Sequence, residues 1–287
     1  MIGKRILITG ATNGIGKQAA LELAKMGAEI VIVGRDEIKT RKVSVDIKLA
    51  SGNSNVELLV ADLSSLSEVR RIAAEFREKY QRLDVLLNNA GASFSTFQTS
   101  VDGYEMTFAL NHFSYYLLTN LLLDIMKLTA HEHGEARIIN VSSSAHNSAG
   151  RDGLRLEDLR DASGFRAFRA YGGSKLANVL FTYELARRLE ETDITVNAVH
   201  PGLVNTGFGD NMTGFMRHIF KLMKTLAGRS PQRGAETLVY LASSPDVAGI
   251  NGKYWFDKKQ LRSSDISYGR EQQKALWDFS AEATGVG

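Results

Sequence analysis

Short runs of β-branched residues alternate with longer amphipathic segments along nearly the whole chain, and this alternation restricts the fold more than any other feature. Strand candidates lie at 5–9 (RILIT), 29–34 (EIVIVG), 56–61 (VELLVA), 83–88 (LDVLLN), 137–142 (RIINVS), 194–200 (ITVNAVH) and 253–256 (KYWF). Most are near-continuous apolar runs, as parallel strands covered on both faces require. Helical patterns fall between them at 15–26, 37–50, 66–80, 103–128, 170–191 and 231–243. Parallel strands need crossovers, and right-handed crossovers put helices on both faces of one sheet. The expectation is therefore an α/β fold: a single-domain Rossmann-type doubly wound parallel sheet of about seven strands, spanning residues 1–287. No repeat, low-complexity tract or linker divides the chain, and 3 prolines against 26 glycines suit tight turns.

Two segments interrupt the rhythm. Residues 144–169 form a polar insert rich in Gly, Arg and Asp, and 203–230 make a long excursion after the sixth strand. Both leave the carboxyl edge of the sheet, where open α/β sheets bind their ligands, so a substrate is expected there. Composition excludes several other functions. A net charge of +3 is too small to make nucleic acid the default partner, and the absence of cysteine removes disulfides, thiolate nucleophiles and Cys-based metal sites. The longest apolar stretch, 107–126, is broken by Asn111, His112, Asn120 and Asp124, so it reads as a buried helix rather than a membrane span. The N-terminal residues carry no signal-peptide pattern, and a soluble cytoplasmic protein is the expectation. The alternating His131 and His133 sit in a polar stretch with no third ligand nearby, so no metal is expected.

Directly after the first strand runs Thr9-Gly10-Ala11-Thr12-Asn13-Gly14-Ile15-Gly16, opening a helix. Gly10 permits a sharp exit from the strand, Gly14 clears room for a pyrophosphate, and Gly16 allows close helix–strand packing. The helix start then offers unpaired N–H groups and a positive dipole end to phosphates. The spacing, G-x3-G-x-G at a strand-to-helix junction, favours a dinucleotide over a purely structural turn. The second strand ends at Gly34-Arg35-Asp36. Gly34 leaves empty the position where an acidic residue would hold a ribose 2′-hydroxyl, and Arg35 offers a fixed positive fork to a 2′-phosphate. Asp36 would repel that phosphate unless it caps the following helix. NADP is the expected cofactor, ahead of NAD.

Tyr171-Gly172-Gly173-Ser174-Lys175 opens a helix, with Tyr and Lys at i and i+4 on one face. A free tyrosine titrates near 10, and a neighbouring ammonium favours the phenolate and draws that value toward neutrality. Ser142-Ser143-Ser144 after the fifth strand, Asn111 in the preceding helix and Asn88-Asn89-Ala90-Gly91 after the fourth strand share the same sheet edge. A serine hydroxyl there can polarise a carbonyl, and an asparagine can hold a water between backbone and lysine.

Together T-G-A-T-N-G-I-G, N-N-A-G, the N-V-S-S-S strand end, Y-G-G-S-K and H-P-G resemble the short-chain dehydrogenase/reductase family from about Lys4 to Asp257. The stretch from Tyr171 through Y-G-G-S-K-L-A-N-V-L-F-T-Y-E-L-A-R-R-L resembles the retinol dehydrogenase-like branch. The resemblance implies Tyr171 as general acid in reduction and base in oxidation, tuned by Lys175, which also contacts the nicotinamide ribose. It implies Ser143 as the catalytic serine, with Ser142 and Ser144 as neighbouring alternatives, and Asn111 as the end of a proton relay. Cofactor contacts are implied at Gly10, Thr12, Asn13, Gly14, Ile15, Gly16 and Arg35, at Asp62 and Leu63 beside the adenine, and at Asn89, Ala90 and Gly91. Pro201, Gly202, Val204 and Thr206 resemble the loop that holds the nicotinamide.

The implied activity is NADP-dependent hydride transfer to an apolar aldehyde or ketone, or from the corresponding alcohol. Two other readings use the same residues: an epimerase or dehydratase built on the Tyr–Lys pair, and a non-catalytic NADP sensor. Arg35 and the lack of a long C-terminal substrate domain count against the first, and the presence of both Tyr171 and Lys175 against the second. Within 212–226, apolar Phe215, Ile219, Met223 and Leu226 are set off from Arg217, Lys221 and Lys224. That segment reads first as a substrate lid, then as ordinary core packing or as a basic helix on an anionic membrane surface. The helix around 113–126 is apolar on nearly every side, through Tyr115, Tyr116, Leu117, Leu118, Leu121, Leu122, Leu123 and Ile125. Such a helix wants complete burial, so a homodimer is expected, with a monomer possible because the 144–169 insert lies close by.

Overall fold

Alternate residues of the first strand, Ile6 and Ile8 against Leu7, enter two different hydrophobic cores, and the second strand repeats the pattern with Ile30 and Ile32 against Val31 and Val33. A strand's period of two thus builds a layer on each face of one sheet. This is the arrangement in the computed structural model, which describes residues 1–149, 154–204 and 229–287. The strands are β1 (Arg5–Thr9), β2 (Glu29–Gly34), β3 (Val56–Val60), β4 (Val85–Asn88), β5 (Ala136–Val141), β6 (Ile194–Val199), β7 (Lys253–Phe256) and β8 (Lys259–Leu261). Their order is β3-β2-β1-β4-β5-β6-β7-β8, with every neighbouring pair parallel except the last. The winding reverses between β1 and β4, which pair as Ile6 with Val85, Leu7 with Leu86 and Ile8 with Leu87. Chains leaving those two strands diverge, and a crevice opens at their carboxyl ends.

Helices α1 (Gly14–Lys25), α2 (Glu37–Ser51) and α7 (Pro231–Ser243) cover one face. On the other lie α3 (Leu66–Lys79), α5 (Ser114–His133) and α6 (Ala167–Arg188). No helix among the described residues is long and apolar enough to cross a membrane. Residues 212–226, where the lid or membrane helix was sought, lie outside the described residues.

Three elements depart from the sequence reading. The helix expected over 103–128 starts as the short α4 (Met106–Phe108), widens into a π-helical turn at Ala109–Phe113, and continues as α5 to His133. A π turn leaves no mark on apolar periodicity, yet it sets the direction of Asn111 and His112. The eighth strand forms because Asp257 and Lys258 both take positive φ, 47° and 60°, and make a two-residue hairpin without glycine. The third is a C-terminal helix, α8 (Arg270–Thr284). Its buried stripe includes Gln273, Ser280 and Thr284 beside Leu276 and Trp277, so a search for apolar periodicity passes over it.

Helix α8 also changes the argument for a partner subunit. Trp277 meets Tyr116 of α5 edge-on with centroids 5.0 Å apart, stacks on Phe181 of α6 at 5.9 Å, and carries the Arg188 guanidinium 4.0 Å above its ring. The cover that the apolar α5 demands is thus supplied on this side by the same chain. Trp277 is 7% exposed, so Trp277→Ala should lower the unfolding free energy by about 3–5 kcal/mol. Denaturant titration measures this, and a loss under about 1 kcal/mol would show that α8 does not complete the core.

Candidate active site

The crevice between the ends of β1 and β4 extends into a cleft of about 1300 Å³. At one end the turn after β1 contributes Gly10, Thr12, Asn13, Gly14, Ile15 and Gly16 to its wall. Gly10 and Gly14 hold φ of 65° and 54°, a region costly for any other residue. A Cβ at Gly10 would stand 2.6 Å from the Ala90 Cα, and one at Gly16 would collide with the Asn89 side-chain nitrogen. Asn89 shows why: its Nδ2 donates to the carbonyls of Thr9 (2.8 Å) and Gly10 (3.1 Å), pulling the two loops together. Asn13, at the N-cap of helix α1, makes no side-chain cap, and the first turn carries no acidic residue, so its N–H groups remain available to an anion.

Arg35, Asp62 and Leu63, the expected adenosine contacts, all line the cleft. A Cβ at Gly34 would collide with the side chains of Thr12 and Thr40, which excludes any carboxylate from that strand end. Asp36 caps α2, its Oδ1 accepting from Lys39 N at 2.8 Å. Arg35 is largely exposed, 3.9 Å from Asp62 Oδ2, while Asp62 Oδ1 accepts from the backbone and hydroxyl of Ser64. A surface pair this open costs little to rearrange around a ligand.

At the far end the cleft is walled by Asn89, Ala90, Gly91, Ser142, Ser143, Ser144, Tyr171, Lys175, Pro201, Gly202 and Val204. The three serines separate by geometry. Ser142 donates its hydroxyl to Lys175 O (2.8 Å) and is committed to the backbone of α6, whereas Ser143 lies near enough to the Tyr171 side chain to favour its phenolate. Tyr171 sits in the second turn of α6, which starts at Ala167 rather than at the tyrosine. Lys175 is 3% exposed, donates from Nζ to Val141 O at 3.0 Å, and lies 5.9 Å from the centre of the Tyr171 ring. Gly202 takes a φ of 83°, and its N–H donates to His200 Nδ1 at 3.0 Å. Thr206 lies outside the described residues.

Asn111 comes to this corner but does not line the cleft. Its amide is fully engaged: Oδ1 accepts from Ala92 N, and Nδ2 donates to Ala92 O and Ser174 Oγ, each at 2.9 Å. Its carbonyl accepts from Asn178 Nδ2 at 3.0 Å, and the same amide reaches Val141 O at 3.2 Å. Asn178, absent from the sequence reading, therefore bridges the π turn to the carbonyl that holds Lys175. The signal for it was present, since Tyr171, Ser174, Lys175, Asn178 and Thr182 fall at helical spacing on an otherwise apolar segment. Gly91 completes the corner, because a Cβ there would stand 3.1 Å from Asn111 Oδ1 and 3.3 Å from Lys175 Nζ.

The model of the family described as short chain dehydrogenase matches residues 4–153 and 161–215. Human polyprenol dehydrogenase is 38% identical over 98% of this chain and 84% of its own length. Human retinol dehydrogenase 13 is 39% identical over 99% of this chain and 85% of its own. This chain is a member of the short-chain dehydrogenase/reductase family. It falls in the retinol dehydrogenase-like branch. Among solved structures, a protein from Mycobacterium paratuberculosis superposes with a TM-score of 0.77 at 30% identity, covering 99% of this chain and 94% of its own. The Pseudomonas aeruginosa RhlG/NADP active-site complex does so with a TM-score of 0.70 at 28% identity, covering 88% and 94%.

The electrostatics of this short-chain dehydrogenase correct one expectation. The lysine is expected to draw the tyrosine toward neutrality, but burial pushes Tyr171 up to about 12, and the neighbouring Ser143 hydroxyl only partly offsets it. Burial also lowers Lys175 to about 7. The ammonium is itself desolvated, and it stands 5.9 Å from the centre of the phenol ring. The linkage has a definite sign. A lysine depressed in the folded state contributes stability above its unfolded value near 10.4, and that contribution is lost as pH falls toward 7. Tyr171 acts oppositely, its contribution being lost only as pH rises from about 10 to 12. Measured by denaturant unfolding, wild type should therefore gain stability relative to Lys175→Met between pH 7 and 10. A difference independent of pH would show that the lysine titrates as a solvated group.

Proposed function

We propose that the protein is an NADP-dependent oxidoreductase that transfers a hydride between NADPH and an apolar aldehyde or ketone, and in reverse oxidises the alcohol. The observation that carries this reading is that Tyr171, Ser143 and Lys175 together line one end of a cleft whose other end is an uncapped helix start. The wall fits a dinucleotide: an anion-binding turn, a strand end closed to carboxylates, and Gly91 where a side chain would block Lys175. Gly10 to Gly16 would hold the pyrophosphate and Arg35 the 2′-phosphate. Asp62 and Leu63 would flank the adenine, and Pro201, Gly202 and Val204 the nicotinamide. When bound, the nicotinamide supplies or accepts the hydride.

The chain's own residues handle the oxygen. As a carbonyl carbon is reduced, its oxygen gains negative charge, and Tyr171 and Ser143 give it two hydrogen bonds. The phenol proton then passes from Tyr171 Oη to that oxygen. Burial suits this direction, since it keeps the phenol protonated until a stronger base appears beside it. Lys175, held by Val141 O, would orient the ribose and steady the phenolate. Asn111 would act at one remove, fixing the 90–92 segment and, through Asn178, the carbonyl under the lysine.

An apolar substrate is supported by Phe94, Met106, Leu110, Phe168 and Leu203 in the outer wall of the cleft. Relatives named for polyprenol and retinol, both hydrocarbon-rich alcohols, point the same way. Tyr171→Phe should retain NADPH affinity and lose turnover by a factor of about 10²–10⁴ in an assay of NADPH absorbance with apolar aldehydes. Retention of a tenth of the rate would refute the role of the phenol. Arg35→Ala should reduce kcat/KM for NADPH by about 10- to 100-fold, the loss of a charge-assisted phosphate contact, and leave NADH unaffected. Equal losses with both cofactors would overturn the NADP preference.

A further inference from the structure

We propose that His146 is a positioning residue for Ser143: its imidazole pins the serine's carbonyl and fastens the turn after β5 to the loop that follows β8. The proposal rests on the reading of Ser143 as the second hydrogen-bond donor beside Tyr171. His146 is 2% exposed and lies in the short 3₁₀ turn Ser144–Ser148. Its Nδ1 is 2.7 Å from Ser143 O, and its Nε2 is 3.0 Å from the backbone nitrogen of Ser264. A backbone N–H can only donate, so Nε2 is the acceptor and the ring proton sits on Nδ1, where it donates to Ser143 O. The backbone N–H of His146 reaches the same carbonyl at 3.0 Å. That carbonyl thus receives two donors, and the imidazole gives the shorter bond.

The rest of the turn is clamped from the opposite side. A Cβ at Gly172 would stand 2.7 Å from Ala145 O and collide with the Ser148 hydroxyl, so α6 lies directly against the turn. The imidazole also packs on Tyr254, with ring centroids 5.0 Å apart and the Tyr254 hydroxyl 3.4 Å from Nδ1. Ser143 itself is extended, with φ −161° and ψ 155°, and its Oγ accepts from Ala145 N at 3.2 Å. With the carbonyl held by His146, rotation about the serine's ψ is restricted, which fixes the backbone from which the Oγ projects at the cleft wall. Burial keeps His146 below its usual range, in the neutral form that can accept from Ser264.

Three variants separate the two bonds. His146→Phe keeps a ring against Tyr254 and loses both, together with the longer contact to the Tyr254 hydroxyl; His146→Asn places an amide N–H near the Nδ1 position; His146→Gln places an amide oxygen near Nε2. Measured with NADPH and an apolar aldehyde, His146→Phe should lower kcat about tenfold, with NADPH Kd and substrate KM changed less than about twofold. His146→Asn should restore most of the turnover and His146→Gln should not. In a Ser143→Ala background, His146→Phe should cost no further turnover, because a residue acting through the serine has nothing left to position. An equal loss in both backgrounds, or equal rescue by Asn and Gln, would overturn the proposal in favour of simple packing. If His146→Phe does not fold, the Asn and Gln variants carry the comparison. Full turnover by Ser143→Ala alone would instead remove the reading of the serine, and the proposal with it.

Discussion

Everything at the carboxyl edge of this sheet depends on how closely the turn after β1 approaches the loop after β4. Gly10 lies so near the Ala90 backbone that no side chain fits between them, and Asn89 closes the gap by donating to two carbonyls of the first turn. Thr9 adds to this by accepting from the backbone of Asn89 and Ala90 through one hydroxyl, at 2.8 and 3.0 Å. These contacts lie where the strand order reverses, so they fix the floor of the cleft rather than its rim. A wider separation would misplace α1's open N-terminus relative to Tyr171, although neither group touches the other. Proximity of this kind converts two loops into one rigid platform.

The second organising element is a chain of buried amides running across the sheet. Asn88 donates to Asn140 on the neighbouring strand and to Thr119 of α5, and Asn140 donates to Thr182 of α6. Thr182 returns to the Asn178 carbonyl, and the Asn178 side chain reaches the π turn and Val141. His112, fully buried and held to about 3 by desolvation, contacts Asn178 on one side and Ser280 of α8 on the other. Polar groups in a low-dielectric interior are costly unless partnered, so such a chain tolerates few alternative geometries. Its effect is to tie the lysine's carbonyl support to the C-terminal helix, far along the sequence.

How much of this was legible in the sequence follows from what each signal can carry. The parallel strands announced themselves because burial on both faces demands unbroken apolar runs. The glycine turn and the Tyr–Lys pair were readable because steric demand and helical spacing are local properties. The Asp257–Lys258 hairpin was not, since neither residue favours positive φ by itself and the turn is imposed by pairing with β7. Helix α8 escaped because its inward face mixes Trp277 with Ser280 and Gln273, which satisfy partners that only the fold brings near. The same limit hid His146. Its partner Ser264 is 118 residues away, and nothing in the adjacent Ser-Ser-Ser tract distinguishes a buried imidazole from an exposed one.

The titration of the Tyr–Lys pair shows how spacing alone can mislead. Placing a cation four residues from a phenol suggests a lowered phenol pKa, but the effect requires the cation to be charged and its field to reach the oxygen. Here Lys175 is buried and Tyr171 half-buried in one corner of the cleft. Desolvation disfavours the ammonium and the phenolate alike, leaving the two values at about 7 and about 12. A pair in that state holds its proton on the phenol at neutral pH and resists releasing it to water. In the proposed reaction it would yield the proton to a base formed within the cleft, such as the oxygen of a carbonyl undergoing reduction. On the proposed function, burial would therefore do more than shape a pocket: it would make proton transfer conditional on the reaction that needs it.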